Sequence, residues 1–445
     1  MLDDIIQERR RKLNNFIKEG IDLYPSKIKR TLTIAVALKN FTELSRASKN
    51  IFLVGRLMAL RDQGNLIFLD LKDESGKIQV VFKKDSLKNY KILKQNLDIG
   101  DFLEIGGLLF KTKKGEKSIL AKTARIIVKS IMPLPVQWYG LKDVEERFRK
   151  RYLDIILNPE IKEKFIKRFE ALVYLRAKLI EEGFLEVETP MLQAIPGGAK
   201  ARPFITHHNA FDVDFYLRIA PELYLKRLLV AGFEKIFEIG RVFRNEGIDR
   251  DHNPEFTMLE LYWAYQDWEG LMSFTEKLLK KFLGGKKWPR IGFSEAFKKY
   301  ALIDINKLKS DELDEIFKKQ VRPKIIKPTF ITHYPKSISP LAKSCADNPD
   351  LTERFQLIVD GTEIVNGFSE LNNPIEQRNR MEEQEKMYRG GDIEASRLDE
   401  DFLEALEYGM PPAAGFGIGI DRLAAFITKS HNIKEVIIFP TLKPK

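Results

Sequence analysis

The chain has one cysteine, Cys345, in 445 residues. That excludes an internal disulfide, and with only five histidines it leaves no Cys/His metal cluster. So little thiol suits a reducing compartment, and Cys345 reads as a small packed residue, not a nucleophile. Long apolar runs are missing as well. None approaches the ~18 residues of a membrane-spanning helix, so no membrane partner is expected. The opening MLDDIIQERRRK is charged from residue 3 and no apolar segment follows. No signal peptide is therefore expected, and the expected location is cytoplasmic. Negative charge is scarce in the first third. Residues 1–150 hold 31 Lys and Arg against 18 Asp and Glu, a surplus of 13, while the whole chain carries +11, so the remainder sums to −2. A basic third on a near-neutral body fits a polyanion partner, and equally a solvated lysine-rich surface.

What is present is ordinary globular composition, 44% hydrophobic and 31% charged. At roughly 100–200 residues per domain, two to three domains are expected. Residues 1–50 read as a basic helix (2–19, stopped by Gly20) and an extension. Residues 51–130 read as a β domain with strands at 51–60, 66–71, 78–82, 101–110 and 119–128, and a short helix at 87–97. Five strands with a helix after the third is the order of an OB-fold barrel, a frequent single-strand nucleic-acid module. Phe68 and Gln79 lie on its second and third strands. An exposed aromatic stacks a base and an amide reads its edge; the lesser alternative is that Phe68 is core. Residues 131–147, with Pro133 and Pro135, read as a linker to a second domain at 148–445.

That domain opens with a helix at 160–182 carrying Phe165, Phe169, Leu172, Leu175 and Leu179 on one face, then a strand ending at Pro190. In the loop 195–211, Gly197 and Gly198 permit close backbone approach. His207 and His208 are adjacent on a strand, point to opposite faces, and are not a metal pair. Glu222 opens a helix directly after Pro221, where an acid complements the dipole. Apolar runs at 237–243 and 256–262 predict a hairpin crowded with Arg241, Arg244, Glu246, Arg250, His252 and Glu260. Arg244 and Glu246 share strand parity, so an arginine can grip a carboxylate or phosphate beside an acid that accepts from an amine. An ion-paired surface hairpin would look much the same. Residues 266–330 are less informative: a helix near 271–282, then lysine-rich connections. A strand at 354–359, the Asp360–Gly361 turn and a return strand bring Glu363, Asn366 and Glu370 together, a set that could converge on Mg²⁺. Residues 375–408 read as a charged surface helical region. Residues 413–427 read as a glycine-rich strand entering a helix at Asp421–Arg422. VIIFP near the end reads as a last strand.

The spelling FRNEGI…HNPEFTMLELY resembles motif 2 of the class II aminoacyl-tRNA synthetases, in its lysyl form. AAGFGIGIDRL resembles motif 3, and the helix, strand and Pro190 resemble motif 1. VGR…FLDLKDESGKIQVV resembles the anticodon-binding domain of the same enzymes. The resemblance covers nearly the whole chain, with a weak patch at 284–328. It implies an α+β fold, an N-terminal OB-fold barrel joined to a class II catalytic domain built on an antiparallel sheet flanked by helices. It implies activation of L-lysine with ATP as co-substrate, then transfer of lysine to the 3′-terminal adenosine of tRNA(Lys). Arg244 would bridge the lysine carboxylate and the α-phosphate, and Arg422 would lie on the γ-phosphate, the two catalytic arginines. Glu246, His252, Asn253 and Phe256 would complete the ATP site. Gly198, Glu222, Glu260, Tyr262, Asn366, Phe368 and Glu370 would hold lysine. Arg56, Phe68 and Gln79 would contact the anticodon. A homodimer through motif 1 is implied. Two departures stand out. The family holds Mg²⁺ with two carboxylates; Glu363 matches one, and Gln356 stands in place of the other. An arginine often precedes the motif-2 histidine, where this chain has Asp251, with Arg250 one residue earlier.

Overall fold

The computed structural model describes residues 2–135 and 143–445, so part of the expected linker, 136–142, lies outside the described residues. The chain divides into two units, Met1–Gly140 and Leu141–Lys445. In the first, β1 (Ile51–Gln63), β2 (Leu66–Lys72), β3 (Lys77–Lys83), β4 (Phe102–Lys111) and β5 (Lys117–Val128) close into a barrel of order β1-β2-β3-β5-β4. The pleat explains the closure. Along β2, Ile67, Leu69 and Leu71 point inward and are buried, while Phe68 and Asp70 alternate outward. The helix after the third strand is Tyr90–Asn96, shorter than its apolar pattern suggested, and Leu93 plugs the core with no exposed surface. This is the OB-fold order. The N-terminal helix Leu2–Lys18 docks by Phe16 and by buried Arg9, whose guanidinium donates to the carbonyls of Ser130 (3.0 Å) and Ile99 (3.0 Å).

The second unit holds the remaining strands: β6 (Leu185–Glu186), β7 (Leu192–Gln193), β8 (Ile205–His208), β9 (Val213–Leu217), β10 (Lys235–Phe243), β11 (Glu255–Ala264), β12 (Arg290–Gly292), β13 (Thr329–Pro335), β14 (Leu351–Val359), β15 (Thr362–Ser369) and β16 (Ala413–Gly419). Eight of them form a sheet of order β12-β13-β14-β15-β16-β11-β10-β6, antiparallel except at its two edge pairs. Successive residues of β11 serve opposite faces. Leu259 and Leu261 join the core under helices Pro159–Glu181 and Trp268–Leu283, whereas Tyr262 and Ala264 pack with helices Glu222–Val230 and Glu400–Glu407. Glu260 shares the parity of Tyr262, and that face of the sheet carries the site.

Three expectations change. Residues 266–330 are not mere connections: Phe293, Phe297, Phe317 and Val321 are buried with Tyr334 in a core of their own, around π-helical turns at Phe297–Ala301 and Phe317–Val321. The 375–408 region is not all surface, because Gln377, Arg380, Met381, Phe402 and Leu403 are buried. VIIFP is not a strand. Ile433–Glu435 is a 3-10 turn, and Val436 and Ile437 pack on Ala424 and Ala425. A short apolar run buries equally well against a helix as in a sheet, and periodicity alone does not separate the two.

Candidate active site

The floor of the site is the glycine strand β16. Its register places Gly417 between Glu260 and Asn366, and Gly415 between Tyr262 and Phe368, on the two neighbouring strands. Gly415, Gly417 and Gly419 sit at alternate positions and all line the cleft. The G-x-G-x-G spacing is therefore a strand that offers no side chains to one face. At Gly415 the space is used by its neighbours: a Cβ there would lie 2.5 Å from the Tyr262 ring and 2.8 Å from Glu370 Oε1. The loop before the helix Glu222–Val230 closes the side. Gly198 has φ +87°, and a Cβ would meet the Glu222 Cβ at 2.8 Å.

Thirteen of the residues singled out from sequence line one cleft of about 250 Å³: Gly198, Glu222, Arg244, Glu246, His252, Asn253, Phe256, Glu260, Tyr262, Glu363, Asn366, Phe368 and Arg422. Glu370 lies behind the lining, its Oε1 close over Gly415. Glu222, Glu260 and Glu370 are all buried, and Tyr262 donates to Glu260 at 3.1 Å. Burial first, then the neighbouring Glu222, push the Glu260 carboxyl up to about 8. Burial likewise pushes Glu370 up to about 8, with Lys226 pulling the other way. Lys226 Nζ lies 2.6 Å from Glu370 Oε2, and Oε1 has no hydrogen-bond partner among the described residues. The ammonium occupies Oε2, and the Oε1 lone pairs remain open.

At the other end, residues 244–254 leave the hairpin, because β10 stops at Phe243. Strand parity thus does not place Glu246; the loop does, and both Arg244 and Glu246 reach the cleft. Arg244 donates to the Ile219 carbonyl at 3.3 Å, and its guanidinium lies 5.2 Å over the Phe256 ring. Burial pulls its pKa below the ordinary arginine value, partly offset by Glu246. Arg422 Nη2 lies 3.1 Å from His252 Nε2, and Arg422 also donates to the Asp251 and Glu363 carbonyls, each at 3.4 Å. With Arg422 donating to Nε2, the ring proton is on Nδ1, 2.9 Å from Asp249. Arg250 pairs with Asp251 at 3.0 Å on the surface. Asn253 lines the cleft, but its amide serves the backbone, donating to the Glu255 carbonyl and accepting from Thr441 N–H. Asn366 Oδ1 accepts from Arg354 at 3.0 Å, which leaves its N–H groups for the cleft.

Gln356 is opposite Asn366 in the sheet and lines the adjoining cavity with Glu363. Its Oε1 accepts from the Tyr334 hydroxyl at 2.8 Å, so one lone pair is already used. The Glu363 carboxylate has no hydrogen bond or ion pair among the described residues. One open carboxylate beside Arg422 fits Mg²⁺ carried on phosphates, which takes few protein ligands. No group of three or more His, Cys, Asp or Glu able to hold a metal occurs among the described residues. His207 pairs with Asp214 at 3.0 Å, away from His208.

In the barrel, Phe68 pairs with Val81, two residues from Gln79, so Phe68 and Gln79 are diagonal neighbours. Both are half-exposed, which removes the core reading of Phe68. Gln79 Oε1 accepts from Ser118 at 2.9 Å. Arg56 is opposite Lys72, farther along the same strand, and its guanidinium lies 4.3 Å over Phe102. Lys226, Gly415 and Arg168 were missed from sequence. Only the spacing of Lys226, one helical turn after Glu222, offered a signal.

Residues 143–443 match the family described as tRNA synthetases class II (D, K and N), and residues 51–127 match the OB-fold nucleic acid binding domain. A protein named lysine--tRNA ligase from Pelotomaculum thermopropionicum is 46% identical, covering 100% of this chain and 96% of its own length. The proteins of that name from Moorella thermoacetica (45%, covering 100% and 98%) and Clostridium tetani (45%, covering 99% and 96%) are similarly related.

Proposed function

The chain belongs to the class II tRNA synthetases, in the group of the lysine–tRNA ligases, and on that premise we propose how its residues divide the work. The enzyme activates L-lysine with ATP and transfers it to tRNA(Lys). In the first step a lysine carboxylate oxygen attacks the α-phosphorus of ATP, and the bond to pyrophosphate breaks. In the second, the terminal adenosine hydroxyl of the tRNA attacks the lysyl carbonyl and AMP leaves. No protein nucleophile takes part. Catalysis is orientation and charge neutralisation.

The observation that carries the assignment is a group of three buried carboxylates: Glu222 and Glu260 line the cleft, and Glu370 lies behind its Gly415 floor, joined to Glu222 through Lys226. A buried ammonium needs such partners, and lysine has two ammonium groups. Glu222 and the Gly198 carbonyl take the α-ammonium. Glu370, Glu260 and Tyr262 take the side-chain ammonium, with Phe368 along the carbon stem. Arg244 holds the lysine carboxylate and the α-phosphate; the Asn366 amide donates beside it. Glu246 accepts from the adenine amine, Phe256 stacks on the ring, and His252 and Arg422 serve the terminal phosphates. The backbone-bound amide of Asn253 shapes this wall without touching ATP. Mg²⁺ on the phosphates would be held by Glu363, with the remaining lone pair of Gln356 a weak second ligand, and when bound it offsets charge on the departing pyrophosphate. Arg56, Phe68 and Gln79 meet the anticodon. A homodimer would form along helix Pro159–Glu181, whose Ile166, Phe169, Val173 and Ile180 are exposed on one stripe. No helix among the described residues is long and apolar enough to cross a membrane, and the site of action is the cytoplasm.

ATP–pyrophosphate exchange across lysine, aspartate, asparagine and arginine tests this. Exchange is expected with lysine and is expected to fall by about 30-fold or more in kcat/KM for Glu370→Gln, the usual consequence of removing a buried charge partner. Exchange with aspartate in preference to lysine, or indifference to Glu370→Gln, would overturn the assignment.

A further inference from the structure

Within the lysine pocket one charged group has no role in the mechanism above. Lys226 is on helix Glu222–Val230, four residues after Glu222, and has no exposed surface. Its Nζ lies 2.5 Å from Glu222 Oε1 and 2.6 Å from Glu370 Oε2, and 5.4 Å from the Phe368 ring centroid. These are the carboxylates assigned to opposite ends of the substrate. Both are thus gripped by one ammonium, and the two gripped oxygens cannot lie more than about 5 Å apart. We propose that Lys226 is a positioning residue for amino-acid selection: it fixes the spacing of Glu222 and Glu370 and leaves the pocket with the charge that two substrate ammonium groups neutralise.

The charge count supports the assignment. Glu222, Glu260 and Glu370 bring three negative charges when ionised, and Lys226 offsets one. Two remain, matching the α- and side-chain ammonium groups of lysine, while the substrate carboxylate goes to Arg244. Without Lys226 the pocket would hold three clustered carboxylates, and one of them would keep a proton instead of receiving an ammonium. The geometry also leaves room for substrate. Lys226 engages Glu370 through Oε2, and Oε1, which lies over Gly415, has no hydrogen-bond partner among the described residues and is left to accept from substrate. A bland buried ion pair would join carboxylates with no further duty; this one joins the two anchors of a diamine. Loss of water pulls the Lys226 pKa down, but the carboxylates of Glu222 and Glu370 outweigh that and hold it above the ordinary lysine value.

The inference rests on the lysine reading of the cleft, and the test separates the two. The full chain is compared with Lys226→Met, which keeps volume, and Lys226→Arg, which keeps charge. Exchange kinetics are measured for lysine, ornithine and ATP, with melting curves as control. Lys226→Met is expected to raise the lysine KM by about 30-fold or more, with kcat and the ATP KM nearly unchanged, and to cut the preference for lysine over ornithine by about tenfold. Lys226→Arg is expected to recover most of the lysine KM. A lysine KM that stays constant or falls in Lys226→Met overturns the proposal, as does an equal rise for lysine and ATP. If Lys226→Met does not fold, wild type labelled with ¹⁵N-lysine is titrated with unlabelled L-lysine. The buried Nζ signal is expected to move with lysine and not with ATP, and a signal indifferent to lysine overturns the proposal. Absence of lysine-dependent exchange in wild type would instead sink the lysine reading itself.

Discussion

Asp421 carries a load that its neighbour Arg422 conceals. Arg168, from helix Pro159–Glu181, donates to Asp421 Oδ1 from Nη2 at 2.8 Å and from Nε at 3.2 Å. The same Nη2 reaches Thr257 Oγ1 at 3.0 Å, and Asp421 Oδ2 accepts from Thr257 N–H at 2.8 Å. The pair is nearly dry, with side-chain exposures of 8% and 3%. It ties a long helix, the sheet and the helix carrying Arg422 at one point. Asp421→Asn keeps the shape but strips the charge and turns one acceptor into a donor facing the Thr257 N–H. Leaving one member of a buried ion pair uncompensated costs about 3–5 kcal/mol. In a unit of this size one kcal/mol moves Tm by about 2 °C, so a drop of about 6–10 °C is expected. Tryptophan fluorescence reports it, because Trp263, Trp268 and Trp288 all lie in the second unit. The double variant Arg168→Met/Asp421→Asn removes the stranded charge and is expected to melt above the single variant. A drop of less than about 2 °C, or a double variant that loses the sum of both singles, would refute the reasoning.

Two further outcomes follow from the site. Because Gln356 contributes an amide where a second carboxylate would stand, exchange is expected to remain in Gln356→Glu but to need several-fold less Mg²⁺ for half-maximal rate; equal metal demand in a Mg²⁺ titration removes the argument. Glu260 and Glu370, both pushed up chiefly by burial, hold protons in the empty cleft to higher pH than free carboxyls do. An incoming ammonium needs them ionised, so lysine affinity is expected to rise between about pH 6 and 8 with release of protons. Titration calorimetry in phosphate and Tris at pH 7 reads that release as a buffer-dependent heat, and identical heats would contradict it. Without lysine, the same two raised carboxyls favour the fold below the ordinary carboxyl pKa, and that contribution fades as pH rises towards about 8.

Strand alternation and turn residues were enough to read the barrel and the long hairpin, since the pleat ties every second residue to one face. That Arg244, Glu260, Glu363 and Arg422 would share one cleft was legible through the resemblance of their motifs, not from any local pattern, and the fold does bring them together. Elsewhere the local signal failed for identifiable reasons. VIIFP has strand composition but finds a helix to cover it. The aromatics of 290–334 are too far apart in sequence to show a period, yet they meet around π-helical turns. Lysine is by default an exposed residue, so nothing along the chain marked Lys226 as buried. Its state depends on Glu222 one turn away and on Glu370, 144 residues later, which only folding brings within 2.6 Å. Nothing along the chain set Gly415 apart from the other glycines of its strand; the register did, by placing Tyr262 and Phe368 on either side of it. By itself, then, the sequence determined which groups are available and which local face each occupies, since those follow from periods of two and 3.6 residues. The tertiary structure alone decided which distant charges become partners, because burial and Coulomb energy depend on through-space neighbours that no local period records.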